Sequence, residues 1–254
     1  RPRNAARPPE YRALRIPVGD GEWVGAWAAP GRGSGSRGTV LVFHGYGGEK
    51  SAMLPEAEAF RAMGYRVLLV DFRGGGESSG DDVTIGYREA EDVRAAWRHV
   101  RGRWREPRGV VFGVSMGAAA CLRAMSEYAD VKPRAAVLES SFGSTYQTVV
   151  NRFRVLGVPP VPLAALLTFW GGAQHGYWAF GHDPEDYARR VRVPTLLLQG
   201  ERDERVTLGE AQRIYAGLAG PKRLWVVPGG GHGHYVLAAP EAWRRQMGDF
   251  LIKN

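Results

Sequence analysis

The 254-residue sequence contains a single cysteine, Cys121, so no intrachain disulfide can brace the fold. Set among alanines, Cys121 reads as a small buried helix residue rather than a redox or metal group. Long apolar runs are also missing. The nearest, Val155 to Gly172, is broken by three prolines and falls short of the ~20 residues a membrane-spanning helix needs. No cysteine–histidine cluster or H-E-x-x-H pattern offers a metal site, and no metal or other cofactor is expected. The glycine-rich stretches lack the G-K-[ST] ending of a phosphate loop, and no G-x-G-x-x-G opens a helix after the first strand. No repeat occurs at solenoid periods. A lysine-rich tail is absent too. The net charge of +8 comes mostly from scattered arginines, so no nucleic-acid partner is expected.

What is present is ordinary for a globular chain: 44% hydrophobic and 24% charged residues, enough for one large core. Short apolar runs alternate with helical patterns. "GEWVGAWAA" (Gly21–Ala29), "TVLVFHG" (Thr39–Gly45), "YRVLLVDFRG", "GVVFGV" (Gly109–Val114), "AAVLES", "PTLLLQG" and "RLWVVPG" read as strands. "GRGSGSRG" (Gly31–Gly38) reads as a surface turn. The central runs are apolar without polar alternation, as in parallel strands covered on both faces. The expected fold class is α/β, a doubly wound, mostly parallel sheet with helices on both faces, forming one domain over 1–254. The first two strands, before any helix, are expected to form an antiparallel edge. Between about 142 and 192 the rhythm stops, and this Pro-, Gly- and aromatic-rich stretch reads as a small cap or lid insertion.

A long helix over Gly86–Trp104 carries two stripes. Val93, Trp97, Val100 and Trp104 should face the sheet, and Arg94, Arg98, Arg101 and Arg105 repeat that spacing one position on. The basic stripe is a solvated face first and a peripheral membrane contact second; the apolar cap is the other candidate for such contact. The chain starts at Arg1 rather than Met, as a removed signal peptide, a removed anchor or a truncation would leave it. The compartment is therefore open between cytoplasm and export.

The chemistry centres on Gly113-Val114-Ser115-Met116-Gly117, a G-x-S-x-G between a strand and a helix. A serine hydroxyl is barely ionised at neutral pH and needs a base. Of six histidines, His232 and His234 follow the last strand in "VVPGGGHGHY"; spacing from the glycines favours His232, with His234 as the alternative base. Asp203 in "QGERDERV" is the candidate acid that orients the base, ahead of its neighbours Glu201 and Glu204 and of Glu139. Oxyanion donors should be backbone N–H groups, with Met116 directly after the serine and Tyr46 in "HGYGG" as the candidates. His44 is expected to tie that loop in place.

These motifs, "HGYGG", "DFRGGGESSG", "GVSMG", "QGERDERV" and "PGGGHGH" in that order, resemble the alpha/beta-hydrolase superfamily of serine hydrolases, in particular its small capped members. The likeness runs from about Trp23 to Leu251. It implies a triad of Ser115, Asp203 and His232, and a structural rather than catalytic role for Asp71–Ser78. Serine at the elbow, where aspartate would be needed, argues against dehalogenase or epoxide hydrolase chemistry. The expected activity is cleavage of carboxylic esters with short or medium acyl chains, or lipids, making a small-molecule acyl ester the partner. Phe142, Leu166, Phe169 and Trp170 are the candidates for an apolar acyl pocket, alongside Pro159, Pro160 and Leu163 of the same stretch. A peptidase, thioesterase or acyltransferase would use the same triad, and a non-catalytic binding protein would keep only the fold.

Overall fold

The computed structural model describes residues 3–33 and 35–254; Arg1 and Ser34 of the expected Gly31–Gly38 turn lie outside the described residues. Eight strands form one sheet in the order β1-β2-β4-β3-β5-β6-β7-β8. They span Arg12–Gly19 (β1), Glu22–Ala29 (β2), Thr39–Phe43 (β3), Arg66–Val70 (β4), Gly109–Val114 (β5), Ala135–Glu139 (β6), Thr195–Gly200 (β7) and Lys222–Val227 (β8). From β4 to β8 every neighbouring pair is parallel.

The edge differs from expectation. Gly21–Ala29 does not pair with Thr39–Gly45. Instead β1 and β2 run antiparallel, with Ile16 opposite Val24, and β2 runs antiparallel to β4. β3 lies in the middle, between β4 and β5. The physical reason is burial. All five residues of β3 are buried and need cover on both faces, whereas most of β1 faces water and only Ile16 is buried. The apolar alternation of β1, Leu14, Ile16 and Val18, is short and interrupted by Arg15 and Pro17, and the stretch is not among the strands expected from sequence.

Alternate residues of one strand feed two cores, as the two-residue period requires. Leu41 and Phe43 pack with α2 (Glu89–Arg103) and α3 (Met116–Glu127). Val40 and Val42 pack with α1 (Leu54–Ala62) and the last helix, Pro240–Lys253. Val93, Trp97 and Val100 of α2 are buried as expected. Its basic face is partly neutralised: Arg94 and Arg98 both pair with Asp130, and Arg101 donates to the Glu106 carbonyl. Arg105 lies beyond the helix end, in a left-handed conformation.

The stretch 142–192 contains no strand, but it is more helical than its composition indicated. Ser144 caps α4 (Thr145–Val155) by accepting from the Gln147 N–H, α5 spans Leu163–Gln174, and Asp183 caps the short α6 (Pro184–Ala188). These elements lie beside the carboxyl ends of the parallel strands, where doubly wound sheets leave a crevice.

Two glycines at the β5–α3 turn are constrained by close backbone approach. A Cβ on Gly113 would lie 2.5 Å from the Gly117 carbonyl carbon, and one on Gly117 would lie 2.6 Å from the Phe43 carbonyl oxygen. Gly113→Ala should therefore cost about 2 kcal/mol through forced overpacking. For a chain of this size that is roughly 4–8 °C of melting temperature. Gly171→Ala in α5, where a Cβ meets nothing within 4 Å, should leave the midpoint unchanged or raise it. Thermal unfolding by circular dichroism checks both.

Candidate active site

Ser115 occupies the one-residue step between β5 and α3, with φ 54° and ψ −112°. That conformation is unfavourable for a side chain and persists only when the surroundings enforce it. Here the Ser115 N–H donates to the Glu139 carbonyl at 2.8 Å, and the flanking glycines admit the neighbouring backbone. The hydroxyl is thereby lifted clear of the sheet. His232 Nε2 stands 3.0 Å from Ser115 Oγ, and His232 Nδ1 stands 2.8 Å from Asp203 Oδ2.

Asp203 is fixed on every side. Its Oδ1 accepts the N–H groups of Arg205 and Val206, and its Oδ2 accepts from Gln199 Nε2 as well as facing His232. Burial by itself would raise the carboxyl pKa, but the His232 hydrogen bond and charge, with the two backbone donors, bring it below its ordinary value. It is therefore a carboxylate at neutral pH. The His232 loop is held by Tyr235, whose hydroxyl accepts the Gly200 N–H, donates to the Gly231 carbonyl and meets Ser140 Oγ at 2.6 Å. Ser140 Oγ in turn accepts the Gly233 N–H. Gln199, Ser140 and Tyr235 were not singled out from sequence; only the position of Tyr235 directly after "GHGH" gave any sign.

The other candidates have different engagements. His234 does not reach the serine: its Nδ1 pairs with the buried Glu56 at 2.8 Å. Glu139 accepts from Trp243 Nε1, and Glu201 accepts the Gly229 N–H. His44 accepts the Phe72 N–H at Nε2 and meets the Gly45 carbonyl at Nδ1, tying two loops together, and burial holds its pKa down. Asp71 is likewise structural. It is fully buried and receives Asn4 Nδ2, the Lys50 N–H, Lys50 Nζ and the Glu77 N–H. His99, His175 and His182 lie on α2 and in 142–192, away from the serine; His182 bonds Tyr187 and Ile85.

Two cavities meet at Ser115, and both are lined by Tyr46, Ser115 and Arg152. One, of about 430 Å³, is walled by Ile85, Met116, Phe142, Val149, Phe153, Leu156 and Leu167. Phe142 is therefore on the wall of this cavity. Leu166, Phe169 and Trp170 are not; they are 51%, 46% and 59% exposed. At i, i+3 and i+4 they form one stripe of α5 that lines neither cavity, while Leu167, itself 56% exposed, lines the larger one. The second cavity, of about 140 Å³, is polar, and His44, Arg205, His232 and His234 are among its walls.

The sequence model of the family described as "Serine aminopeptidase, S33" (Hydrolase_4) matches residues 34–168. Over 88% of this chain and 73% of the relative, the sequence is 32% identical to the uncharacterized protein Rv2307c of Mycobacterium tuberculosis. The chain belongs to this family of alpha/beta hydrolases. It is also 27% identical to the uncharacterized YfhR of Escherichia coli K12, over 92% of this chain and 78% of that protein. Among solved structures, esterase Pf2001 of Pyrococcus furiosus is similar with a TM-score of 0.80 and 26% identity, covering 99% of this chain and 98% of that one. The esterase EaEST of Exiguobacterium antarcticum, at 18% identity and TM-score 0.71 over 94% and 99% of the two chains, shares the fold.

In this hydrolase the His234–Glu56 pair makes a pH-dependent contribution to stability. The Glu56 hydrogen bond raises the His234 pKa against the opposing effect of burial, and the Glu56 charge adds to that rise. A raised imidazole stabilises fully below its unfolded value of about 6.5 and loses that contribution as pH climbs through the folded value. His234→Gln should therefore cost about 1 kcal/mol near pH 6, a figure discounted for the partly exposed ring, and less near pH 9. Urea unfolding at the two pH values measures the difference.

Proposed function

We propose that this hydrolase is a serine esterase acting on carboxylic esters of short or medium acyl chains. One observation carries the reading: Ser115 Oγ, His232 and Asp203 form a continuous hydrogen-bonded chain at the mouth of an apolar cavity of about 430 Å³. Ser115 Oγ attacks the ester carbonyl while its proton passes to His232 Nε2, and Asp203 holds the imidazole and balances its charge. The carbonyl oxygen becomes an oxyanion, for which the N–H groups of Met116, at the start of α3, and Tyr46 are the proposed donors. A Cβ on Gly45 would touch Ser115 Cβ at 3.4 Å, so the Tyr46 loop lies against the nucleophile. As the carbon–alkoxide bond breaks, His232 gives its proton to the leaving oxygen. Water then repeats the sequence: its proton goes to His232, its oxygen to the acyl carbon, and Ser115 recovers its proton as the acid leaves.

The acyl chain is assigned to the 430 Å³ cavity, whose walls are apolar apart from Thr148 and Arg152 and the hydroxyls of Ser115 and Tyr46, with the helices of 142–192 acting as the proposed cap. A peptidase reading follows from the family's description, but a free amino terminus needs a carboxylate near the nucleophile. Among the described residues, neither cavity beside Ser115 is lined by one, and Arg152 and Arg205 make the surroundings positive. That charge favours an ester over an aminopeptidase substrate.

Ser115→Ala should abolish both p-nitrophenyl butyrate turnover and labelling by a fluorophosphonate probe, and Asp203→Asn should lower kcat by about 10⁴-fold. Wild-type rates in either variant would remove the triad. Leu167→Trp should fill the acyl cavity and shift preference among p-nitrophenyl esters from octanoate toward acetate by roughly tenfold in kcat/KM.

A further inference from the structure

The smaller cavity has its own chemistry. His232 must hand its proton to the leaving oxygen, so the alcohol part of the substrate lies against the wall that His232 forms. His232 lines the 140 Å³ cavity and not the 430 Å³ one. The same polar cavity is lined by Arg152 from α4 and Arg205 from the turn after β7. Neither guanidinium makes a hydrogen bond or ion pair with any described residue. Arginines elsewhere are often paired: Arg61 with Glu58, Arg73 with Asp92, Arg190 with Glu127 and Arg213 with Glu185.

The adjacency of the two arginines is built in. Asn151 is buried, and its Nδ2 donates both to the Arg205 carbonyl and to Glu210 Oε2, which ties α4 to the turn. The Arg205 N–H is itself a donor to Asp203 Oδ1, so the turn that fixes the acid also sets Arg205 beside the nucleophile. Like charges are thus held together with no carboxylate paired to either guanidinium. Partial burial and then the Arg205 charge both depress Arg152, with Asp203 opposing. An anion placed between the two would relieve that repulsion. Planar guanidinium forks are well matched to carboxylate and phosphate oxygens.

We propose that Arg152 and Arg205 form an anion subsite on the leaving-group side of Ser115, so that the preferred substrates are acyl esters whose alcohol part carries a carboxylate or phosphate. This rests on the esterase reading. The cavity of about 140 Å³ has room for a short charged alcohol but not for a second acyl chain.

Two matched substrate pairs test the proposal: 3-butyryloxybenzoate against 3-butyryloxybenzamide for carboxylate, and 1-butyrylglycerol 3-phosphate against 1-butyrylglycerol for phosphate. The readout is the ratio of kcat/KM for the anionic over the neutral member. At low salt the wild type should prefer the anion by roughly tenfold or more in at least one pair, the arm that responds identifying the anion. Salt at about 1 M, with a Debye length of about 3 Å, should erode that ratio. Arg152→Gln and Arg205→Gln should each reduce the ratio by about tenfold, and Arg205→Glu should drive it below one. Both side chains are exposed, so the variants are expected to fold. Turnover of both members with a ratio near one, or a ratio unmoved by the Gln variants, overturns the subsite and leaves the esterase reading intact. Absence of turnover on all four esters, with Ser115 unlabelled by fluorophosphonate, overturns the esterase reading and the subsite together.

Discussion

The site depends on one steric constraint, the contact of backbone with backbone around Ser115. Gly113 and Gly117 sit where any Cβ would drive into neighbouring carbonyl groups, one across the elbow and the other against the end of β3. Because both are glycine, β5 can end abruptly and α3 can start within one residue, with Ser115 in a conformation that side chains rarely adopt. Everything else is arranged around the hydroxyl this turn presents. The ends of β3, β7 and β8 bring the Tyr46 loop, Asp203 and His232 to the same rim of the sheet. A small shift at the elbow would separate Oγ from its 3.0 Å contact with the imidazole.

Charge is organised by the same economy. Three buried acids near the rim have a dedicated partner, Asp71 with Lys50, Asp203 with His232, and Glu56 with His234, while burial pushes the pKa of the unpaired Glu139 up to about 8. An uncompensated buried carboxylate would be expensive, so each pairing also fixes a loop. Asp71 joins the Asn4 segment, the Lys50 helix turn and the Glu77 loop, while His44 joins two loops as a neutral ring. The surplus positive charge remains at the surface. Part of it is answered locally, as where Asp130 takes both Arg94 and Arg98. At the smaller cavity beside Ser115 no described residue pairs with the guanidinium of Arg152 or Arg205.

Much of this was legible in the residues themselves. "GVSMG" between a strand and a helix, with Asp203 and His232 each following a later strand, pointed to the trio that the fold brings into contact. The pattern also named Phe142 in the larger cavity and assigned His44 a tying role. It failed where a signal depends on which way a face turns. The stripe Leu166, Phe169 and Trp170 has the spacing of an inward face, yet it lines neither cavity, and Leu167 is the residue on the larger one. β1 was missed because its alternation of Leu14, Ile16 and Val18 is short and broken by Pro17, and β3 was therefore put at the wrong end of the sheet. Helices α4 and α5 were hidden by the prolines that lie between them and by Gly171 and Gly172 inside α5.

The sequence by itself determined the α/β class, the strand-to-helix turn at Ser115 and the order of serine, acid and histidine. These follow from local periodicity and from the steric needs of particular residue types. Only the tertiary structure separates the placement of His232 from that of His234, because two residues of separation on a left-handed turn send one ring to Ser115 and the other to Glu56. The same holds for Arg152 and Arg205. They are 53 positions apart in an arginine-rich chain and become neighbours only when Asn151 ties α4 to the turn that carries the acid. Contacts of that range are set by packing, which no local pattern encodes.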